Sequence, residues 1–330
     1  MKRGIAILLV LGSWGVLAAQ DSTVFCIPTI EGQPRPKGLE LTYERMMDYG
    51  IQGTRNDVAS GDYTTEVRRN ARFNSKLRFP VFIRRNFKLN MSLGYATENY
   101  ELDNSGGYGS QVLSLLHEKQ LRSIQAGLYI VKPFIGNKYL VVRTNSSMND
   151  DGTGTFASKN NALKHEVAAV YGVKRDPRFS FGFGVAFSYT LGHASFLPVV
   201  AYQRSIDRHW GVDVLLPAHA RVYYELGKSN RLLAGVKVEG TNYNIRLQEQ
   251  GLNGVYYLER SDLRVFVRYE REIHDWLWFG ADAGLNMNLD LSLVTDHGTQ
   301  RGEVILSNTV NNAFYFGAGF FVVPPKSMWP

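Results

Sequence analysis

Residues 179 to 191 run Phe-Ser-Phe-Gly-Phe-Gly-Val-Ala-Phe-Ser-Tyr-Thr-Leu. Large apolar side chains hold every odd position, and Ser, Gly, Ala or Thr every even one. A strand turns successive side chains to opposite faces, so this segment has one greasy face and one small, mostly polar face. The pattern recurs down the chain in units of about ten residues, with no amphipathic helix available to cover the greasy faces. Lipid is the remaining partner. The chain therefore reads as all-β: a transmembrane antiparallel up-and-down β-barrel.

The N-terminus fits an exported protein. Lys2 and Arg3 precede the apolar run Ile5 to Leu11, and Val16-Leu17-Ala18-Ala19 offers small residues for cleavage. Residues 1–19 read as a signal peptide. Gly12, Ser13 and Gly15 interrupt the run before it reaches the ~18 residues of a membrane helix. The mean hydropathy of −0.20 looks soluble. A barrel wall gives such a value because only alternate residues face lipid. Aromatic residues make up 12% of the chain, enough for Tyr and Trp girdles at two membrane surfaces. A single cysteine, Cys26, rules out an intramolecular disulfide. The formal net charge of +7 would suggest nucleic acid in a cytosolic protein. In an exported one, anionic lipopolysaccharide or an acidic solute is the more natural partner. The expected partners are therefore outer-membrane lipid and lipopolysaccharide, with barrel-assembly machinery during biogenesis, in the outer membrane of a Gram-negative bacterium.

Residues 20–37 are polar and contain Pro28, Pro34 and Pro36; they read as a periplasmic tail. The barrel is expected over 38–323, with a short extension at 324–330. Wall segments fall at about 38–49, 64–79, 86–101, 119–134, 138–149, 163–173, 179–192, 196–205, 209–217, 218–226, 231–247, 255–270, 276–291 and 304–323. That makes about fourteen strands, with twelve as the alternative. The connections sort by length. Short ones include Gly136-Asn137-Lys138, Lys174 to Arg178, Asp207-Arg208-His209 and Gly227 to Asn230. Long ones rich in Asn, Asp, Gly and Ser fall at 50–63, 102–118, 150–162 and 292–303. Such sorting matches a barrel with short turns at one membrane face and long loops at the other.

Alternation also assigns the faces. Near 276–291, Leu277, Phe279, Ala281, Ala283, Leu285, Met287 and Leu289 face lipid, and Asp282, Gly284, Asn286, Asn288 and Asp290 face the lumen. Near 64–79, Val67, Ala71, Phe73, Leu77 and Phe79 share the outer face with Arg69, which lies toward the outer end. Glu66, Arg68, Asn70, Arg72, Asn74, Lys76 and Arg78 point inward. Glu40, Glu44, Lys88, Lys237, Glu239, Asp262, Arg264, Arg268 and Glu270 join the lumen set by the same phase. A lumen with this many charges admits three readings. The charges neutralise one another and fill a narrow interior. Or Arg68, Arg72 and Lys76 form a basic stripe along a water-filled path that favours anions. Or they frame a ligand site.

Catalytic patterns are weak. The seven histidines are scattered, with no His-x-x-x-His spacing and no Gly-x-Ser-x-Gly elbow. His193 beside Ser195, or His297 beside Asp296, could serve a rim hydrolase. Asp150-Asp151-Gly152 reads as an acidic loop with a remote capacity for calcium. No cofactor or metal is expected. The leading expectation is a narrow channel or transporter for a small solute or amphiphile, and the alternative a closed structural or adhesion barrel acting through its outer loops.

Leu197-Pro198, Tyr202, Trp210, Leu216-Pro217, Tyr223-Tyr224, Gly240 and Tyr243 follow a recognisable order. Over about 195–245 the chain resembles an uncharacterised family of Bacteroidetes-type outer-membrane β-barrel proteins carrying a domain of unknown function. The closing segment Ala313 to Val323 fits the same pattern. The resemblance implies an outer-membrane barrel and no activity, ligand or site residue.

Overall fold

The computed structural model describes residues 26, 28–56, 61–103, 113, 116–117, 119–152, 163–249, 252–295 and 302–328. The expected signal peptide lies outside them, as do Asp296 and His297. No helix among the described residues is long and apolar enough to cross a membrane.

Sixteen strand segments make one sheet: β1 (Leu39–Met46), β2 (Tyr49–Arg55), β3 (Gly61–Arg84), β4 (Phe87–Leu102), β5 (Gln120–Pro133), β6 (Lys138–Asp150), β7 (Leu163–Asp176), β8 (Phe179–Ser188), β9 (Ser195–Ser205), β10 (Trp210–Leu216), β11 (His219–Glu225), β12 (Asn230–Glu249), β13 (Leu252–His274), β14 (Leu277–Val294), β15 (Val304–Val310) and β16 (Ala313–Val322). Apart from β1 with β2 and β15 with β16, neighbours in sequence pair antiparallel, and β1 pairs with both β16 and β3, which closes the ring. Two staves of the barrel are broken. β2 continues β1 past residues 47–48, and β15 leads into β16 across residues 311–312. β2 and β15 pair with each other. The ring therefore has fourteen staves, each matching one wall segment read from the sequence. The expected loop at 50–63 is mostly strand instead, because β2 and the start of β3 extend past the ring.

The outer surface carries a continuous apolar band. Phe73, Leu77, Leu93, Ile124, Leu128, Val167, Phe183, Val185, Val222, Val265, Val267, Phe316 and Phe320 are all exposed. They lie on eight of the fourteen staves, spread round the whole ring, so the band encircles the molecule and far exceeds the few hundred Å² a soluble monomer tolerates. Arg69 shares this face near the loop end, where it pairs with its cross-strand neighbour Glu101 at 3.3 Å. All connections at one end of the barrel span two to four residues. The other end holds the long loops, although residues 217–218 and 250–251 are short there too. These ends are called the turn end and the loop end below.

At one level near the loop end, four adjacent staves each carry an irregularity. They are the breaks at 47–48 and 311–312, a bulge at Arg68 in β3, and a register shift that makes Leu289 an extra residue in β14. With a side-chain period of two, one extra residue exchanges the faces of everything beyond it. Below this collar the inward faces are polar. Above it they are apolar: Tyr49, Ile51, Tyr63, Val67, Leu291, Leu293 and Leu306 join one buried cluster. Three sequence assignments are corrected by this flip, Glu66 among them: it is exposed while Thr65 and Val67 on either side are buried and take the inward positions. Val67 is fully buried and points inward. Asp290 leaves the lumen, because Leu291 and Leu293 take the inward positions.

Candidate functional site: the occluded lumen

Stave heights differ widely. β10 and β11 have seven residues each, β12 has twenty and β13 twenty-three. Beyond about Glu239 and Asp262, the β12–β13 hairpin has no neighbour on the β11 side. It leans across the mouth instead. Asn244 of β12 meets Asp150 of β6 in a parallel bridge, although the two strands are half a ring apart. Both faces of the hairpin are covered. Tyr243, Ile245, Leu247 and Leu258 pack into the apolar cluster with β2, β3, β4 and β15. On the opposite face Asn149 and Lys164 donate to the Asn242 carbonyl, and Asn242 donates to Gly192. Gly240 makes the close approach possible: a Cβ there would lie 2.0 Å from the Tyr189 carbonyl oxygen. The hairpin thus forms a lid over the loop end.

Below the lid one wall is a buried ionic lattice. Arg260 donates to Glu98 at 2.7 Å and to the Tyr100 hydroxyl at 2.6 Å, and its Nε lies 2.7 Å from Asp262. Arg72 donates to Glu98 at 2.8 Å. One level down, Arg264 reaches Glu44 at 2.7 Å and Asn286 at 2.9 Å. Next, Arg268 lies 3.4 Å from Glu40, 3.1 Å from Glu270 and 3.5 Å from Asp282. Near the turn end Lys37 bridges Glu40 and Glu270, over the face of Phe321. The cavity between Tyr49, Tyr100, Arg260, Asp262, Asn286 and Ala313 has room for roughly one water. This side of the lumen is filled.

The wall of β3 to β6 differs. Lys76, Arg78, Lys88 and Arg143 point inward there. Among the described residues, Lys76, Lys88 and Arg143 have no carboxylate within 4.0 Å, and Arg78 has only Glu40, at that limit. Arg143 lies close enough to influence both Lys76 and Arg78 electrostatically. Lys76 lies opposite Gly94 and Arg78 opposite Ser92, with Gln125 and Gly127 on the next stave; Lys88 lies opposite Val131 and Arg143 opposite Tyr129. Around Lys76 and Arg78, small neighbours and sparsely paired positive charge coincide.

The N-terminal tail lines part of the turn end. The Cys26 amide donates to the Phe134 carbonyl, Lys174 to Thr29, and the Glu31 amide to Pro177. Arg35 ends the path with bonds to Asp275 and the Pro324 carbonyl, stacked against Trp278. Burial raises the Cys26 thiol above its usual pKa, against the backbone bond and charge of Lys174. The thiol stays protonated at neutral pH.

The structure brings together Glu40, Glu44, Arg72, Arg264, Arg268 and Asp282 in the lattice, and places Lys76 on the sparse wall. Arg68 stands apart. The bulge leaves it exposed at the loop end, 2.6 Å from Asp103, so it is no part of a lumen stripe. Asp290 sits on the outer face of β14, accepting from Ser292 at 2.6 Å. Ser195 donates to the backbone carbonyl of His193 rather than to its imidazole, so the pair is not arranged as nucleophile and base. Asp150 and Asp151 are held by Arg122 and Lys119 at 2.7 and 2.9 Å.

The chain belongs to the family described as "Domain of unknown function (DUF6268)", whose model matches residues 110–323. No curated protein matches the sequence. Three solved structures resemble the fold. The translocator domain of the autotransporter NalP from Neisseria meningitidis has 12% identity and a TM-score of 0.34 over 86% of this chain and 88% of its own. An outer membrane channel from Pseudomonas putida F1 has 10% and 0.37 over 88% and 98%. The toluene transporter TodX from Pseudomonas putida has 11% and 0.34 over 87% and 89%.

Proposed function

We propose that the protein is a gated conduit of a Gram-negative outer membrane that admits small anions or anionic amphiphiles. The turn end faces the periplasm and the β12–β13 lid closes the outer mouth. One observation carries this reading: Lys76, Lys88 and Arg143 face the lumen with no carboxylate bound to them among the described residues, Lys76 directly opposite Gly94. A barrel selected only for a filled interior would pair such charges, as the opposite wall does. Fourteen staves also lie between the ~8 of a side-chain-filled barrel and the 16–18 of an open porin, which suits a path that opens only in part. The path has no organised nucleophile and base among the described residues.

Reversal potentials in a planar bilayer under a KCl gradient test this. Conductance with anion preference is expected, and the preference should fall toward neutrality in the Lys76→Ala, Arg143→Ala double variant. A folded protein that never conducts overturns the reading in favour of a closed structural barrel; conductance with unchanged selectivity in the variant removes the two cations from the path.

A further inference from the structure

At the turn end, the outward face of β8 and β9 finishes in aromatic and cationic side chains. Phe179 and Phe181 stack with ring centroids 5.8 Å apart, and Phe179 meets Tyr202 at 5.3 Å. Arg204 is the cross-strand partner of Phe179 and lies over its ring at 5.8 Å. Arg175, the extra residue of a bulge in β7, lies over Phe181 at 5.7 Å. Arg178 and Arg208 occupy the two adjoining turns, and all four arginines are exposed. None has a carboxylate within 4.0 Å among the described residues. The carboxylates of the same turns are held by the backbone. Asp176 accepts from the Arg178 amide and Asp207 from the amides of His209 and Trp210, each at 2.7 Å. Four cations at the loop end are neutralised instead: Arg68, Arg69, Lys119 and Arg122 lie 2.6 to 3.3 Å from Asp103, Glu101, Asp151 and Asp150.

The next two staves mark the depth of this patch. Trp210 and Tyr224 pair across β10 and β11 with rings 4.6 Å apart, and Trp210 is exposed. Such amphipathic rings settle at the headgroup level of a bilayer. Val212, the partner of Arg204, lies one outward repeat from Trp210, which puts the guanidiniums near that level. We propose that Arg175, Arg178, Arg204 and Arg208 hold the phosphate of an anionic glycerophospholipid in the leaflet at the turn end. Lipid phosphate is the anion a bilayer supplies at this depth, and a guanidinium fork matches its oxygens in pairs. The rings of Phe179 and Phe181 beneath take the first methylenes of the acyl chains. Phosphatidylglycerol fits and phosphatidylcholine does not, because the choline cation cancels the phosphate charge and meets the arginines unfavourably. The site needs only a bilayer around the ring, so it stands whether or not the lumen conducts.

Native mass spectrometry of the detergent-folded full-length protein tests this, with phosphatidylglycerol and phosphatidylcholine titrated in competition and folding checked by heat-modifiable migration in electrophoresis. Phosphatidylglycerol should be retained in preference to phosphatidylcholine. Arg175→Gln with Arg204→Gln should weaken its binding about tenfold, as expected for the loss of two basic groups near a membrane surface. Arg178→Gln with Arg208→Gln, in turns outside the ring, should act in the same direction and serves alone if the first pair does not fold. Arg68→Gln with Arg69→Gln, at the loop end, should bind as the parent does. Equal retention of the two lipids by the parent, an undiminished preference in either folded turn-end variant, or an equal loss in the loop-end variant overturns the proposal.

Discussion

The two walls of the lumen carry similar charge but treat it differently. Along β12 to β14, β16 and β1, every inward arginine has a carboxylate: Arg260 and Arg264 are 6% and 1% exposed at the side chain and each has at least two anionic partners. Along β3 to β6, Lys76, Lys88 and Arg143 have none among the described residues. Removing a charge from water costs several kcal/mol per ion and is offset only when geometry and hydrogen bonds are good. The first wall meets that condition and is solid. The second leaves Lys76 and Lys88 half-buried and Arg143 exposed, where water can still reach them. Charge in a barrel interior therefore marks structure where it is paired and a path where it is not.

Removing one shared anion gives the largest expected difference. Glu98 accepts from Asn70, Arg72 and Arg260 at 2.7 to 2.8 Å. Glu98→Ala strands two guanidiniums whose one remaining carboxylate among the described residues is Asp262, and should destabilise the barrel by about 3 kcal/mol, at the low end for a broken buried pair. The urea midpoint in lipid vesicles, read by heat-modifiable migration, checks this. A change under about 1 kcal/mol would mean that water reaches the lattice after all, and the contrast between the walls would collapse.

A second expectation concerns the route from the sparse wall to the outside. Gly240→Val places a Cβ against the backbone of Tyr189 and Thr190, neither of which can turn aside. Overpacking of this kind costs about 1–3 kcal/mol. The strain falls on the contact between lid and β8–β9 connection, so conductance should rise while the apolar band and ring pairing stay intact. Conductance unchanged from the parent would place the permeation barrier elsewhere, at the turn end where Cys26 and residues 28–37 line part of the rim.

The ring and most of the paired wall are legible in the sequence alone. Period-two alternation locates all fourteen staves, because lipid outside and a polar lumen inside enforce it. The same rule turns Glu40, Glu44, Arg72, Arg264, Arg268 and Asp282 to one face, the face on which the lattice is built. Alternation fails at Arg68, Val67 and Asp290, all at or beyond an irregularity in the collar. A bulge adds one residue without any change of composition, so the sequence hides the exchange of faces. The lid is hidden for a different cause. Asn242-Tyr243-Asn244-Ile245 alternates like any wall segment, and only the shortness of β10 and β11 shows that it has no neighbour to pair with. That brevity is visible at 209–217 and 218–226, the two shortest wall segments.

The smallest expected effect sharpens the contrast most. Lys76→Ala and Arg143→Ala, measured singly by the same urea midpoint, should each change stability by no more than about 0.5 kcal/mol, as for a side chain with no bonded partner. The identical kind of change, truncation of one lumen charge, then costs several-fold less on this wall than at Glu98. If either variant instead lost about 2 kcal/mol or more, the size of a core defect, the cation would be holding the barrel together, and its lack of a carboxylate would no longer mark it as part of a path.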